Sequence, residues 1–180
     1  MKILLAPHQD DAVLFSTFTL LRERPLVLNV LNSYVQPARG YQNCDAETRV
    51  LEELNAVSTV LGCEVGFMGY RDDSPEWDAI EQDLRIFGQY HGVTKVYAPQ
   101  VQIGGHEHHN RVGVIAERVW GSQVTYYMTY TSRGKSVGAE VPYEPPWVAL
   151  KLKALACYES QIALPNCVEH FLRPQHEYYG

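Results

Sequence analysis

The 180-residue sequence has only four cysteines, and none of them stands in a C-x-x-C arrangement. This excludes a zinc ribbon and a thioredoxin-type redox motif. Long hydrophobic runs are also missing near the start, since Asp10 and Asp11 follow only a few apolar residues. We therefore expect neither a secretory signal nor membrane insertion, and we expect a cytoplasmic protein with free thiols.

An excess of basic residues is absent as well. The sequence has 15 Lys and Arg against 21 Asp and Glu, for a net charge of -6, so we expect no general nucleic-acid binding. The length and the 46% hydrophobic content fit one domain over residues 1–180 and leave a homo-oligomer open. Histidine, in contrast, is concentrated, because three of the seven lie within residues 106–109.

Short aliphatic runs alternate with helical patterns along the chain. The runs predict buried strands, and apolar residues three and four apart predict helices. Predicted strands cover residues 2–6, 26–31, 64–68, 95–98 and 124–129, and predicted helices cover residues 11–21, 46–61, 77–87, 109–120 and 147–161. This order predicts an α/β fold, a Rossmann-like three-layer α/β/α sandwich with a mostly parallel sheet.

Two polar segments rich in Gly and Pro interrupt this pattern, at residues 33–45 and 131–146. Such segments predict loops, and loops on a rigid scaffold often flank a functional site. We expect the parts at residues 34–41 and 133–143 to distinguish one acylated substrate from another.

Two motifs follow predicted strands. Pro7-His8-Gln9-Asp10-Asp11 follows the first strand, and His106-Glu107-His108-His109 follows the strand that ends at Pro99. In an open sheet of this order both motifs reach the edge where ligands bind. Two histidines and one carboxylate form a common zinc site with a position left for water, although spacing does not say which histidine of the second motif binds.

Simpler interpretations exist for each motif alone. An Asp-Asp pair at a helix start often caps the helix, and a histidine-rich loop is often a solvated turn. The two motifs together favour a metal site, because their side chains complete one ligand set. Asp10 would then lie close to a water molecule whose pKa the metal lowers, and could accept its proton.

With these motifs the sequence resembles the PIG-L/LmbE-like family of zinc-dependent N-acetylglucosaminyl deacetylases. The first motif of that family reads P-H-P-D-D-E or P-H-P-D-D-A and here stands as PHQDDA, while the second reads H-x-D-H and here stands as HEHH followed by NRVG. Weaker similarities lie in RVLE with LG, in GYRD, and in KLKA with YESQ, at residues 49–62, 69–72 and 151–161.

The resemblance implies a role for each matching residue. His8, Asp11 and His109 would bind zinc, with iron or cobalt as other metals that this donor set accepts. Asp10 would act as general base, and His106 would stabilise the oxyanion of the tetrahedral intermediate. Substrate contacts are implied for Arg49, Asp72 and His108, although Asp73 competes with Asp72 for its assignment and Arg49 has an alternative interpretation as a solvated helix charge.

The sequence departs from the family pattern twice. Gln9 replaces a proline and is expected only to loosen the turn. His108 replaces the Asp that partners the oxyanion-stabilising histidine, and a histidine there cannot favour a cationic His106. Either His106 works less well, or Glu107 or another acid supplies the charge, or His108 contacts the substrate.

The resemblance implies a zinc-dependent hydrolase that removes the acetyl group from an N-acetylglucosamine conjugate. One alternative is a zinc amidohydrolase for another acylamide. The other is a metal- or sugar-binding module with weakened catalysis, which the His108 substitution motivates.

Overall fold

The computed structural model describes residues 1–33, 45–129, 138–163 and 177–180. Its strands are β1 (Lys2–Ala6), β2 (Leu26–Leu31), β3 (Val65–Tyr70), β4 (Lys95–Pro99), β5 (Val124–Tyr127), β6 (Ala139–Glu140) and β7 (Tyr178–Tyr179). Its α-helices are α1 (Asp11–Glu23), α2 (Ala46–Glu53), α3 (Trp77–His91), α4 (Glu107–Trp120), α5 (Pro145–Leu155) and α6 (Glu159–Ile162). A π-helical segment, Leu54–Val60, continues α2, and a 3₁₀ turn, Gly121–Gln123, follows α4.

The strands form one sheet in the order β3-β2-β1-β4-β5-β7-β6. The strands β1 to β5 pair in parallel, and β7 pairs antiparallel with both β5 and β6. The predicted mostly parallel sheet is confirmed. Chain order reverses beside β1, whose neighbours are β2 and β4, so the ends of β1 and β4 meet at one edge.

The sheet is covered on both faces. Along β1, Leu4 and Ala6 contribute to one buried cluster, while Ile3 and Leu5 contribute to the other. The first cluster includes residues of α1, the π-helical segment and α5, and the second includes residues of α3 and α4. Because alternate side chains of a strand point to opposite faces, the two clusters define the three layers that the sequence predicted.

The closing segment differs from the prediction. A single helix was expected over residues 147–161, but α5 begins at Pro145 and ends at Leu155, and α6 follows after a break. The predicted helix over residues 46–61 is also divided, into α2 and the π-helical segment. Strands β6 and β7 were not predicted, since each has only two residues and no period to read.

Several sequence predictions lie partly or wholly outside the described residues. These are residues 34–44 of the first predicted loop, residues 131–137 of the second, and the cysteines Cys44 and Cys167. Cys63 and Cys157 are free thiols, as expected. Among the described ranges, every helix is too short or too polar to cross a bilayer.

Candidate metal centre and active site

The first motif forms the turn between β1 and α1. Asp11 is the first residue of α1, and its Oδ2 accepts the backbone N–H of His8 at 2.8 Å. The same oxygen lies 3.2 Å from His8 Nδ1. Gln9 was expected to loosen this turn. It is instead buried, and its side-chain amide donates to the Asn32 carbonyl at 3.3 Å. The turn therefore holds the His8 ring and the Asp11 carboxylate together.

The second motif forms the first turn of α4. His109 is buried, and its Nε2 lies 3.2 Å from the Asp11 Oδ2. His106 is the N-cap of the helix, and its Nδ1 accepts the backbone N–H of His108 at 3.2 Å. That bond leaves the ring proton of a neutral His106 on Nε2, which is then its hydrogen-bond donor.

Two contacts fix α4 against the end of β4. Asn110 accepts from the Gln102 backbone N–H at 2.8 Å and donates to the Gln102 carbonyl at 2.9 Å, so the intervening loop is tied to the helix. Gly113 lies so close to the Pro99 carbonyl oxygen that a Cβ would stand 2.4 Å from it. These contacts place His109 opposite the end of β1.

His8, Asp11 and His109 form a donor set that fits a metal ion. One ligand atom from each lies within 4.8 Å of the others, and the set contains two imidazoles and one carboxylate, as zinc prefers. Burial alone would lower the pKa of His8, but hydrogen bonds to Asp11 and Asp72 raise it to about 10. The surroundings of His8 therefore favour positive charge, which a protonated ring or a bound cation supplies.

The surroundings of Asp11 favour its ionised form. Burial raises the pKa of its carboxyl, but His109 and His8 lower it more strongly and hold it well below its usual range. Asp11 is therefore ionised in the folded protein, which is the form that binds a metal.

Asp10 is the N-cap residue of α1, but its side chain does not cap the helix, although the Asp-Asp pair allowed that interpretation. Its backbone has a φ of 103°, and its side chain makes no capping hydrogen bond. Instead its Oδ2 lies 3.0 Å from Arg49 Nη2. Burial raises the pKa of Asp10 to about 7, and Arg49 opposes this rise. Asp10 is thus a carboxylate able to exchange a proton near neutral pH.

Arg49 lies in α2 and is 8% exposed, so the interpretation as a solvated charge is wrong. Its guanidinium contacts the Gln9 carbonyl as well as the Asp10 carboxylate. The structure therefore places Arg49 against the β1–α1 turn, with its guanidinium on Gln9 and Asp10.

Glu53 supports the same turn and was not identified from the sequence. Its Oε2 accepts the backbone N–H of Asp10 at 3.1 Å and the hydroxyl of Tyr158, and its Oε1 accepts from Asn29 at 3.1 Å. Burial raises the pKa of Glu53, and its hydrogen bonds oppose the rise. The i, i+4 spacing with Arg49 on α2 was the available signal, because it puts both side chains on one helix face.

His108 has an acid partner, Asp72, and Glu107 is not the acid that supplies the charge expected beside His106. Asp72 Oδ1 lies 3.0 Å from His108 Nδ1, whereas Glu107 points outward and lies 4.0 Å from Arg111. Asp73 pairs with Arg71 at 2.8 Å, so of the two neighbouring acids only Asp72 faces the histidines. His108 also lies beside Trp77, with 5.8 Å between the ring centroids.

His106 lies at the exposed entrance of the site, at the N-cap of α4. Partial burial and the neighbouring histidines lower its pKa to about 4, so the ring is neutral at pH 7. Its centroid lies 5.1 Å from that of His8 and 5.0 Å from that of His109. All eight residues singled out in the sequence thus lie at or directly behind one sheet edge.

No protein-family model and no curated protein matches the chain. Solved structures do. The zinc-inhibited form of teicoplanin deacetylase Orf2 has a TM-score of 0.74 at 18% identity, with coverage of 96% of this chain and 89% of that one. N,N'-diacetylchitobiose deacetylase from Pyrococcus horikoshii has a TM-score of 0.72 at 19% identity, with coverage of 99% and 82%.

The same fold also occurs in a protein with other chemistry. GalB, the 4-carboxy-2-hydroxymuconate hydratase of Pseudomonas putida KT2440, has a TM-score of 0.64 at 12% identity, with coverage of 95% of this chain and 83% of that one. Fold likeness at these identities identifies architecture and leaves the reaction to be argued from the site. The chain has the PIG-L/LmbE-like deacetylase fold.

Proposed function

We propose that this protein is a metal-dependent N-deacetylase that hydrolyses the acetamide of an N-acetylglucosamine-containing conjugate to acetate and a free amine. The observation that carries the proposal is the donor set of His8, Asp11 and His109 beside the buried Asp10, in a fold shared with deacetylases of amino-sugar compounds. A hydratase with this fold makes a direct test of the reaction necessary.

His8 through Nδ1, Asp11 through Oδ2 and His109 through Nε2 would hold the metal, which we propose is zinc, with Fe²⁺ or Co²⁺ as substitutes. When bound, such an ion polarises the amide carbonyl and lowers the pKa of water toward about 7. The two imidazoles and the single ionised carboxylate leave the rest of the coordination sphere to water and substrate.

Asp10 is the proposed general base. Its carboxylate takes a proton from the attacking water and gives it to the amine nitrogen as the C–N bond breaks. A pKa near 7 suits both halves of this task, since the group then binds and releases a proton at neutral pH.

His106 is the proposed donor to the developing oxyanion. A neutral imidazole whose Nδ1 accepts from the His108 backbone presents an N–H at Nε2. Asp72 and His108, which are partly exposed beside it, are proposed substrate contacts. For Arg49 the contact with Asp10 supports a positioning role in place of the sugar contact that the resemblance implied.

The test is hydrolysis of N,N'-diacetylchitobiose and of an N-acetylglucosaminyl glycopeptide by metal-stripped protein reloaded with Zn²⁺, Fe²⁺ or Co²⁺. We expect one acetate and one free amine per turnover, absent with chelator and restored by metal. Acetate release from N-acetyl amino acids alone would replace the substrate class with another acylamide. Zinc binding without hydrolysis of any acylated compound would overturn the proposal in favour of a binding module.

We also propose a single domain over residues 1–180, which the one sheet and its two covering clusters support. The free thiols of Cys63 and Cys157 support a reducing compartment, which we propose is the cytoplasm.

A further inference from the structure

His8 has donor atoms on two sides of its ring, and the proposed metal centre uses one. Nδ1 faces Asp11, whereas Nε2 lies 2.9 Å from His108 Nδ1 and 3.6 Å from Asp72 Oδ1. The distance from His108 Nδ1 to the same Asp72 oxygen is 3.0 Å. These three atoms form a triangle with sides of 2.9, 3.0 and 3.6 Å.

One proton does not satisfy all three sides of this triangle. If His8 Nε2 carries the proton and donates it to His108 Nδ1, then the lone pair of His108 Nδ1 faces the Asp72 carboxylate at 3.0 Å. If His108 Nδ1 carries it, the His8 nitrogen and the Asp72 oxygen share a single donor. A cation at the centre accepts lone pairs from all three atoms at once.

We propose that His8 Nε2, His108 Nδ1 and Asp72 Oδ1 form a second metal site, separate from the ion held by His8 Nδ1, Asp11 and His109. Two imidazole nitrogens and one carboxylate oxygen select zinc or a neighbouring transition metal over Mg²⁺ or Ca²⁺, which prefer oxygen donors.

Access and position support the site. The side chains of His8 and His108 are each 19% exposed and that of Asp72 is 29% exposed, so an ion reaches them from solvent. Both histidine donors are held by backbone structure, His8 in the β1–α1 turn and His108 in the first turn of α4. The residue that departs from the family motif, His108, is the one that supplies the additional imidazole.

The shared ring of His8 predicts unequal affinities. Binding through both nitrogens requires the loss of both ring protons, and two cations on one imidazole repel each other. The second ion therefore binds after the first, more weakly, and with release of a proton.

The test is the zinc stoichiometry of the metal-stripped full chain, measured by titration calorimetry and by elemental analysis after buffer exchange at each zinc concentration. The wild type should bind two zinc ions in two resolved steps. H108A and D72N should lose the weaker step and keep the stronger one. D73N is the matched control, because Asp73 pairs with Arg71 and should leave both steps in place.

Cobalt gives a second readout that does not depend on turnover. The visible d–d absorption of the wild type should rise in two phases with added Co²⁺, and that of H108A in one. Saturation of the wild type at one ion overturns the proposal, as does a second ion retained by both H108A and D72N. D11N separates this result from the proposed function, since it should lose the stronger step while the site at His108 still binds an ion.

Discussion

Asp10 combines a backbone conformation that L-residues rarely adopt with a buried ion pair. Its φ of 103° costs about 1–3 kcal/mol, and it persists because Arg49 holds the carboxylate while Glu53 holds the backbone N–H. Strain retained at one residue by contacts from another element is typical of functional sites. Contacts from α2 therefore hold both the side chain and the backbone of Asp10.

Replacing Asp10 by Asn tests its proposed role directly. The amide keeps the size of the side chain and an acceptor for Arg49, but it cannot take a proton from water. We expect kcat for acetate release to fall by about 10²–10⁴-fold, with the stronger zinc-binding step unchanged. Full activity of D10N with zinc bound would show that another group is the base.

Arg49 offers a test between sugar binding and positioning. R49K keeps the positive charge but loses the planar guanidinium that reaches both Asp10 and the Gln9 carbonyl. A positioning role predicts a fall in kcat of at least about tenfold with little change in KM, because the substrate contacts stay in place. The half-exposed Arg71 provides the control R71K, for which we expect wild-type kinetics. A rise in KM alone for R49K would restore the sugar-contact assignment.

At the scale of elements, α2 connects the β1–α1 turn to α6. Arg49 and Glu53 lie four residues apart and reach the β1–α1 turn, while Glu52 accepts the Ser160 backbone N–H and hydroxyl, each at 2.7 Å. Tyr158, which precedes α6, donates to Glu53. Adjacent glutamates thus serve different purposes, Glu53 toward the site and Glu52 toward α6.

This division predicts different effects for E53Q and E52Q. In E53Q the amide cannot accept from Asp10, Asn29 and Tyr158 together, so Asp10 loses its backbone support. We expect kcat to fall by about tenfold or more while KM and zinc stoichiometry hold. E52Q should lower stability by about 1.5–3 kcal/mol, measured by urea unfolding, and leave kcat within about twofold. Equal kinetic losses in both variants would mean that α2 acts only as scaffold.

The elements that sequence reasoning located best are those with local signals. The strands at residues 2–6 and 26–31 were predicted to the residue, since each is a short aliphatic run with polar residues or proline around it. That the two motifs meet could be anticipated, because they follow strands that a parallel sheet makes neighbours. The choice of His109 among the three histidines came only from the family resemblance. The break between α5 and α6, in contrast, has no proline or glycine to mark it.

The partners of the site residues were beyond local patterns. Asp72 against His108, Arg49 against Asp10 and Tyr158 against Glu53 join positions about 36 to 105 residues apart, through contacts that only tertiary packing creates. Glu53 in particular looks like an ordinary helix residue in the sequence, and its burial gives it its role.

At the scale of the whole molecule, the buried ion pair of Lys151 and Glu177 holds α1, the helix that begins at the site. Helix α1 has a non-helical residue, Ser16, with φ of -144°. On either side of it, the Leu14 carbonyl accepts from Lys151 Nζ at 2.9 Å, and the Phe18 N–H donates to Glu177 Oε2 at 2.8 Å. An α-helix would pair that carbonyl with that N–H, so the two side chains replace one helical hydrogen bond.

Lys151 and Glu177 also pair with each other, at 2.7 Å, with both side chains almost fully buried. Removal of either partner leaves the other charge uncompensated, so K151M and E177M should each destabilise the fold by about 3–5 kcal/mol. For a chain of this size that is a fall in Tm of roughly 6–20 °C. Calorimetry of each zinc-loaded variant measures it, with K153M on the outer side of α5 as control.

The double variant K151M/E177M decides whether the pair acts as a unit. With both charges removed, no buried ion is left without a counter-ion. If α1 straightens, the Phe18 N–H can donate a helical hydrogen bond to the Leu14 carbonyl. We therefore expect the double variant to lose clearly less stability than the sum of the two single variants. The stronger zinc-binding step should persist in it, because Asp11 lies at the start of α1, one turn before Leu14. Strictly additive losses would show that Lys151 and Glu177 stabilise the fold independently, and loss of zinc with stability retained would show that the bend in α1 sets the position of Asp11.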